Sequence, residues 1–198
     1  MKKSIVAGIL IALGGIAFLS VENKIIGSLL FSIGLLSVLI FNFDLYTGKV
    51  CNVDYYRNPV KLFIVWNGNF IGSAAMGLLM RSHADLVQRC SSIMISKIEK
   101  NILSTCIDSI ICGICIAIAV KGYAKAEEFG KHLMVVLGVM VFILTDAEHC
   151  IADIFYAFLA QSTPFYDTVV FLFIVTFFNT VGGFLTIIAL NNSKLKGH

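Results

Sequence analysis

His149 is the side chain of this sequence best suited to chemistry near neutral pH, because an imidazole exchanges a proton there. It stands in the run Asp146-Ala147-Glu148-His149-Cys150-Ile151-Ala152-Asp153, which sets three acids and a histidine inside an otherwise apolar stretch. On a helix Asp153, four residues on, would share the face of His149, which permits a carboxylate to imidazole contact or part of a metal site. Zinc takes three or four protein ligands and no third one is suitably spaced, so neither metal nor cofactor is expected. Glu148 would face about 100° away and is expected to bind backbone or groups of a neighbouring subunit. Thr47 offers a hydroxyl that donates or accepts.

The elements that must carry these residues are apolar. Of 198 residues, 58% are hydrophobic and 14% charged, and the mean hydropathy of +0.90 exceeds what a water-soluble enzyme can bury. The net charge of +3 forms no basic patch, so no nucleic-acid partner is expected. Uncharged or nearly uncharged runs cover 4–21, 25–43, 62–80, 102–120, 133 to about 160, and 168–190, which predicts six membrane-spanning helices in a lipid bilayer. The first run imitates a signal peptide, but Phe18-Leu19-Ser20-Val21 is a poor cleavage site, and it is read as a retained helix. Six spans place both termini on one side, with Lys2, Lys3, Lys49, Arg57, Lys61, Lys121, Lys125, Lys131, Lys194 and Lys196. Lys24, Arg81, Arg89, Lys97 and Lys100 fall on the other. The larger positive group predicts cytoplasmic termini.

Two places break the pattern. Asp44-Leu45-Tyr46-Thr47-Gly48 ends the second run, and the Asp146 to Asp153 segment interrupts the fifth. An ionisable group facing lipid there would cost roughly 2.5–3.5 kcal/mol, so these acids must line a cavity or pair inside the protein. A repeat connects the two breaks. Val6-Ala7-Gly8-Ile9-Leu10-Ile11-Ala12-Leu13 resembles Ile111-Cys112-Gly113-Ile114-Cys115-Ile116-Ala117-Ile118, and Asn69-Phe70-Ile71-Gly72 resembles Asn179-Thr180-Val181-Gly182. Three spans duplicated after an odd number of crossings are inverted. One transmembrane channel domain over 1–198 is therefore expected, with repeats at about 1–82 and 97–192 and its working centre where the interrupted second and fifth helices meet.

Several motifs in order give the chain a family likeness: Phe31-Ser32-Ile33-Gly34-Leu35, Leu45-Tyr46-Thr47-Gly48, Gly68-Asn69-Phe70-Ile71-Gly72, Lys97, Glu148-His149-Cys150-Ile151-Ala152-Asp153-Ile154-Phe155 and Asn179-Thr180-Val181-Gly182-Gly183. Over essentially its whole length it resembles the formate/nitrite transporter family. The resemblance implies an all-α, aquaporin-like membrane protein of the inner membrane, assembled as a homopentamer with a pore for small monovalent anions in each protomer. It implies apolar constrictions at Phe31, Leu35, Leu45, Tyr46 and Phe142, a polar pair of Thr47 and His149 between them, and Lys97 attracting anions at the outer mouth. Asn179 is expected in the pathway beside His149. Two departures stand out, Gly113 where the family carries an amide and Asp153 where it carries Asn, and both are expected to alter the space and polarity beside His149.

The function expected is a passive channel or proton-coupled transporter for formate, nitrite or hydrosulfide, since a small anion crosses an apolar ring more easily once protonated. Two alternatives remain open. Cys112-Gly113-Ile114-Cys115 spells the C-x-x-C of thiol oxidoreductases, although its mid-span position fits helix packing and all six cysteines are read as free thiols. Asp108, Asp146 and Asp153 would also suit a pore for a neutral or cationic solute.

Overall fold

The computed structural model describes residues 1–161 and 163–194, with the side chains of 53, 56 and 192–194 outside the description, and is all-helical there. Lys196, counted above with the first positive group, lies outside the described residues. Helices α1 (Lys2–Leu19) and α2 (Lys24–Ile40) are followed by the short α3 (Tyr46–Lys49) and α4 (Val53–Tyr56). Next come α5 (Pro59–Leu79), with a 3-10 turn at Met80–Ser82, and α6 (Ala84–Ile98). The second half holds α7 (Ile102–Lys125), α8 (Glu128–Leu144), α9 (Cys150–Leu159) and α10 (Phe165–Lys194).

Asparagines start three of these helices. Asn23 Oδ1 accepts from the backbone N–H groups of Ile25 and Ile26, Asn58 from that of Lys61 just after Pro59, and Asn101 from that of Leu103. Each satisfies donors that the first turn leaves without a helical partner. Four helical segments, Lys2–Leu19, Pro59–Ser82, Ile102–Lys125 and Phe165–Asn191, are long and apolar enough to cross a membrane. The second and fifth expected spans are instead divided: α2 stops at Ile40 before α3, and α8 stops at Leu144 before the ten-residue α9.

The segment between α5 and α7, which lies outside the expected spans, is the amphipathic helix α6. It buries Cys90 and Met94 and turns Lys97 inward on the same face. The start of α8 at Glu128 also precedes the apolar run that announced it.

α1 packs on α2 and α5, α7 on α8 and α10, and α9 against α5. The tightest crossings use glycine. A Cβ on Gly8 would lie 2.2 Å from the Asn69 carbonyl oxygen and one on Gly72 2.1 Å from that of Ile5. In the second half, Gly113 would meet the Asn179 oxygen at 2.3 Å and Gly182 the Ile110 oxygen at 2.2 Å. Backbones this close admit no side chain, which is how small residues let apolar helices associate without water to drive them. Large apolar side chains such as Leu29, Ile33, Phe41, Phe63, Phe173 and Phe177 are exposed instead, on a surface that suits lipid or a neighbouring copy rather than water.

Candidate functional site

The two helix breaks are built alike. Asn42 and Asp146 take the left-handed conformation, at φ 53° and 54°. Short polar side chains tolerate this region better than apolar ones do. At the first break Phe43 N–H bonds to the Val38 carbonyl at 2.9 Å and Asn42 N–H to that of Leu39 at 3.2 Å. At the second, Ala147 N–H bonds to Phe142 at 2.9 Å and Asp146 N–H to Ile143 at 3.2 Å. Both are Schellman C-caps, which end a helix sharply while satisfying its last carbonyls.

One asparagine side chain then pins each break. Asn69 accepts from Tyr46 N–H at 2.7 Å and donates to the carbonyls of Ser4 at 2.6 Å and Asp44 at 2.9 Å. Asn179 accepts from Cys150 N–H at 3.0 Å and donates to those of Ser109 at 2.8 Å and Glu148 at 2.7 Å. Each ties the break to the first long helix of its half, α1 or α7, and to the long helix carrying the asparagine, α5 or α10. Only a side chain with one acceptor and two donors does this.

These anchors bring Thr47 of α3 and His149, the residue capping α9, together in the interior. Thr47 Oγ1 lies 3.2 Å from His149 Nε2, and His149 Nδ1 accepts the backbone N–H of Ala152 at 3.2 Å. With Nδ1 occupied as an acceptor, the proton of the neutral ring belongs on Nε2, facing Thr47. The Phe142 ring stacks on the imidazole with centroids 5.6 Å apart, and Phe31 meets Phe142 edge-on at 5.8 Å.

Cavities approach this pair from two directions. One of about 1310 Å³ is lined by Phe31, Phe142, His149, Lys97 and Asp153 together with Lys24, Arg89, Glu22, Asp85 and Asp146. A second of about 460 Å³ is lined by Leu35 and Leu45 with Lys49, Lys121 and Lys131. Phe31 and Leu35 are neighbours one turn apart on α2, so the partition between the cavities is about 6 Å thick along that helix.

Lys97 differs from the exposed attractor expected of it. Its side chain is only 16% exposed and pairs with two carboxylates, Glu148 and, at 3.0 Å, Asp153. Lys100 bonds Glu148 at 2.6 Å and Asp108 at 2.9 Å. Glu148 thus serves two lysines of its own chain rather than backbone. Asp153 turns to Lys97, and no contact joins it to His149.

Three further expectations change. Gly113 opens no space beside His149, because the backbone of α10 at Asn179 and Gly183 fills its surface. Asn179 spends its polar atoms on backbone and holds the break, not the imidazole. Tyr46 lines neither cavity, and its hydroxyl lies 2.7 Å from Thr180 Oγ1. Lys100, Lys121 and Lys131, which sequence reasoning left in the charge count, all face the site or its mouths. Cys112 and Cys115 are free thiols, the first fully buried and the second half-buried.

The sequence pattern of the family described as Formate/nitrite transporter matches residues 1–192. A curated relative, "Formate channel FocA" of Haemophilus influenzae (strain ATCC 51907 / DSM 11121 / KW20 / Rd), is 24% identical over 152 residues, or 67% of this chain and 52% of that protein. The chain therefore spans about half the length of the curated relative it matches. The solved structure titled "Pentameric formate channel with formate bound" has a TM-score of 0.88 at 22% identity, covering 98% of this chain and 96% of that one. Another, "FNT family ion channel", has a TM-score of 0.88 at 19% identity, covering 96% and 88%. These relatives are channels and transporters rather than enzymes. Because the family pattern runs through both broken helices and the segment around His149, the chain belongs to the formate/nitrite transporter family of integral membrane proteins.

Proposed function

We propose that the chain passes small monovalent weak-acid anions, with formate, nitrite and hydrosulfide as the candidates, as a passive channel or proton-coupled transporter in the cytoplasmic membrane. The observation that carries this reading is the 3.2 Å contact of Thr47 with His149, set between a cavity ending at Phe31 and Phe142 and another ending at Leu35 and Leu45. A charged species loses its hydration at such apolar partitions, and accepting a proton removes most of that cost. His149 Nε2–H is the proton nearest the partition. The Thr47 hydroxyl, accepting from it, keeps its own hydrogen to donate to the transiting oxygen or sulfur.

The proposal includes six helices as two inverted repeats, cytoplasmic termini and five protomers, each with its own pore. Support for the repeats comes from contacts recurring at an offset fixed within each pair of helices: Ser4 and Gly8 of α1 correspond to Ser109 and Gly113 of α7, and Asn69 and Gly72 of α5 correspond to Asn179 and Gly182 of α10.

Reconstituted His149→Phe tests the reading. It should keep its oligomer and lose at least about 100-fold of pH-dependent uptake, the lower end of what a positioned proton donor contributes. Wild-type uptake by that folded variant would remove the imidazole from the mechanism. A second reading, a pore for a neutral or cationic solute, is favoured by the wall of the larger cavity, where Glu22, Asp85, Asp146 and Asp153 oppose Lys24, Arg89 and Lys97. Reversal potentials in asymmetric salt decide between them. The thiol oxidoreductase reading is set against by a C-x-x-C that packs in the body of α7 with Cys112 fully buried.

A further inference from the structure

The two cavities differ in how their charges are met. Of the lysines and arginines in the wall of the larger one, Lys24 pairs with Asp146 at 2.7 Å, Arg89 with Glu22 at 3.2 Å, and Lys97 with Glu148 and Asp153. Asp85 stands in the same wall, so that mouth offers an entering anion no uncompensated lysine or arginine. The smaller cavity is lined by Lys49, Lys121 and Lys131 and, among the described residues, by no carboxylate. Lys49 pairs with Asp44 at 2.8 Å. Lys131 reaches only Glu128, at 3.6 Å and with a side chain 93% exposed, and an exposed pair of that kind is weak. Lys121 has no ion pair or hydrogen bond among the described residues.

Lys121 stands deep enough to act on the pore itself. It follows Val120, whose Cγ2 would lie 3.5 Å from a Cβ on Gly48, the residue after Thr47. It also acts electrostatically on Cys51, which lines the same cavity and whose thiol donates to the Thr47 carbonyl at 3.5 Å. The charge therefore lies beside the short α3 that carries Thr47, on the cavity side of the Leu35 and Leu45 partition. Lysines near the ends of membrane helices also serve as anchors that reach for water. Lys125, one turn later in α7 and exposed, is the one placed for that, whereas Lys121 is half-buried and lines the cavity.

We propose that Lys121 collects the anion in the smaller cavity and holds it before the Leu35 and Leu45 partition, which makes this cavity the higher-affinity mouth of the pore. The proposal deepens the weak-acid reading above and rests on it. A lysine without a carboxylate partner keeps its whole unit charge for a ligand, and the low-dielectric walls of a cleft concentrate the field it sets up. Formate, nitrite and hydrosulfide each carry the single negative charge that balances it. Lys97 has no such charge to give, since two carboxylates already hold it. The contact is one ion pair in a cavity of about 460 Å³, which leaves room for the anion to keep the rest of its hydration until it meets the partition.

Formate uptake into inside-out and right-side-out membrane vesicles carrying the full chain, followed against formate concentration at two ionic strengths, tests this. Under the orientation proposed above the smaller cavity opens to the cytoplasm, so inside-out vesicles present it. At an ionic strength of about 0.01 M, where a charge is felt over about 30 Å, the wild type should half-saturate at lower formate from this face than from the other. Lys121→Gln should raise that concentration roughly tenfold, the lower end of what a focused field contributes, and Lys121→Arg should restore it. At about 0.15 M, where the charge is felt over about 8 Å, the difference should shrink several-fold. The effect should be confined to inside-out vesicles, and Lys121→Gln should melt with the wild type, because no ion pair is broken. Equal half-saturation in Lys121→Gln and wild type, a change of the same size from both faces, a loss independent of salt, or a lowered melting temperature each overturns the role of Lys121 while leaving wild-type transport, and so the weak-acid reading, in place. A wild type that takes up no formate, nitrite or hydrosulfide from either face overturns both.

Discussion

Lys97 is held too deeply to act as a screened surface charge, and that sets what its replacement does. An exposed attractor would lose its advantage as salt rose, because at physiological ionic strength a charge is felt over only about 8 Å. Lys97 instead compensates two buried carboxylates, and breaking such a pair from one side costs about 3–5 kcal/mol. Lys97→Gln is therefore expected to lower the melting temperature of the detergent-solubilised protein markedly, with a loss of maximal flux that changes little between low and high salt. An unshifted melt with salt-sensitive apparent affinity would restore the surface-attractor role. These partners were invisible in the sequence because Lys97 and Glu148 stand 51 positions apart, and no periodicity relates the α6 face to the break before α9. His149 was legible on its own, since an imidazole amid apolar residues has few uses. The 3.2 Å contact with Thr47 came only through the family resemblance.

At the scale of elements, the breaks depend on two asparagines and the glycines beneath them. Asn179→Asp keeps the acceptor for Cys150 N–H but cannot donate to the Ser109 and Glu148 carbonyls, and a carboxylate facing two carbonyl oxygens adds repulsion. With each buried unsatisfied group costing about 1–3 kcal/mol, Asn179→Asp and Asn69→Asp should both lower thermal stability, and by similar amounts. A large difference between them would contradict the equivalence of the breaks. Gly113→Asn should likewise fail to assemble, because its Cβ would lie 2.3 Å from the Asn179 oxygen; a well-folded variant with altered selectivity would return Gly113 to the pathway. The ends of α2 and α8 were legible from their polar interruptions, and the repeated glycines and asparagines from their spacing. α6 was not, because its charges Asp85, Arg89 and Lys97 and its three serines kept the segment out of the apolar runs that announced the other helices.

For the whole molecule, many large apolar residues that a soluble protein would bury lie outside, while Thr47, Glu148, His149 and Asp153 are buried beside the apolar partition between two cavities. Phe173 and Phe177, both strongly exposed on α10, suit a neighbouring protomer as well as lipid. Native mass spectrometry of the purified protein should give five chains per particle. A monomer or dimer that still transports would show that assembly is not needed for the pore.

Uptake of formate, nitrite, hydrosulfide, lactate and ammonium into proteoliposomes across external pH tests most directly whether the protein passes weak-acid anions. One or more of the first three should enter at a rate that climbs as external pH falls and the neutral acid becomes more abundant, with ammonium excluded. Entry of ammonium in preference to all three anions, or of none of the five by a correctly assembled protein, would contradict it.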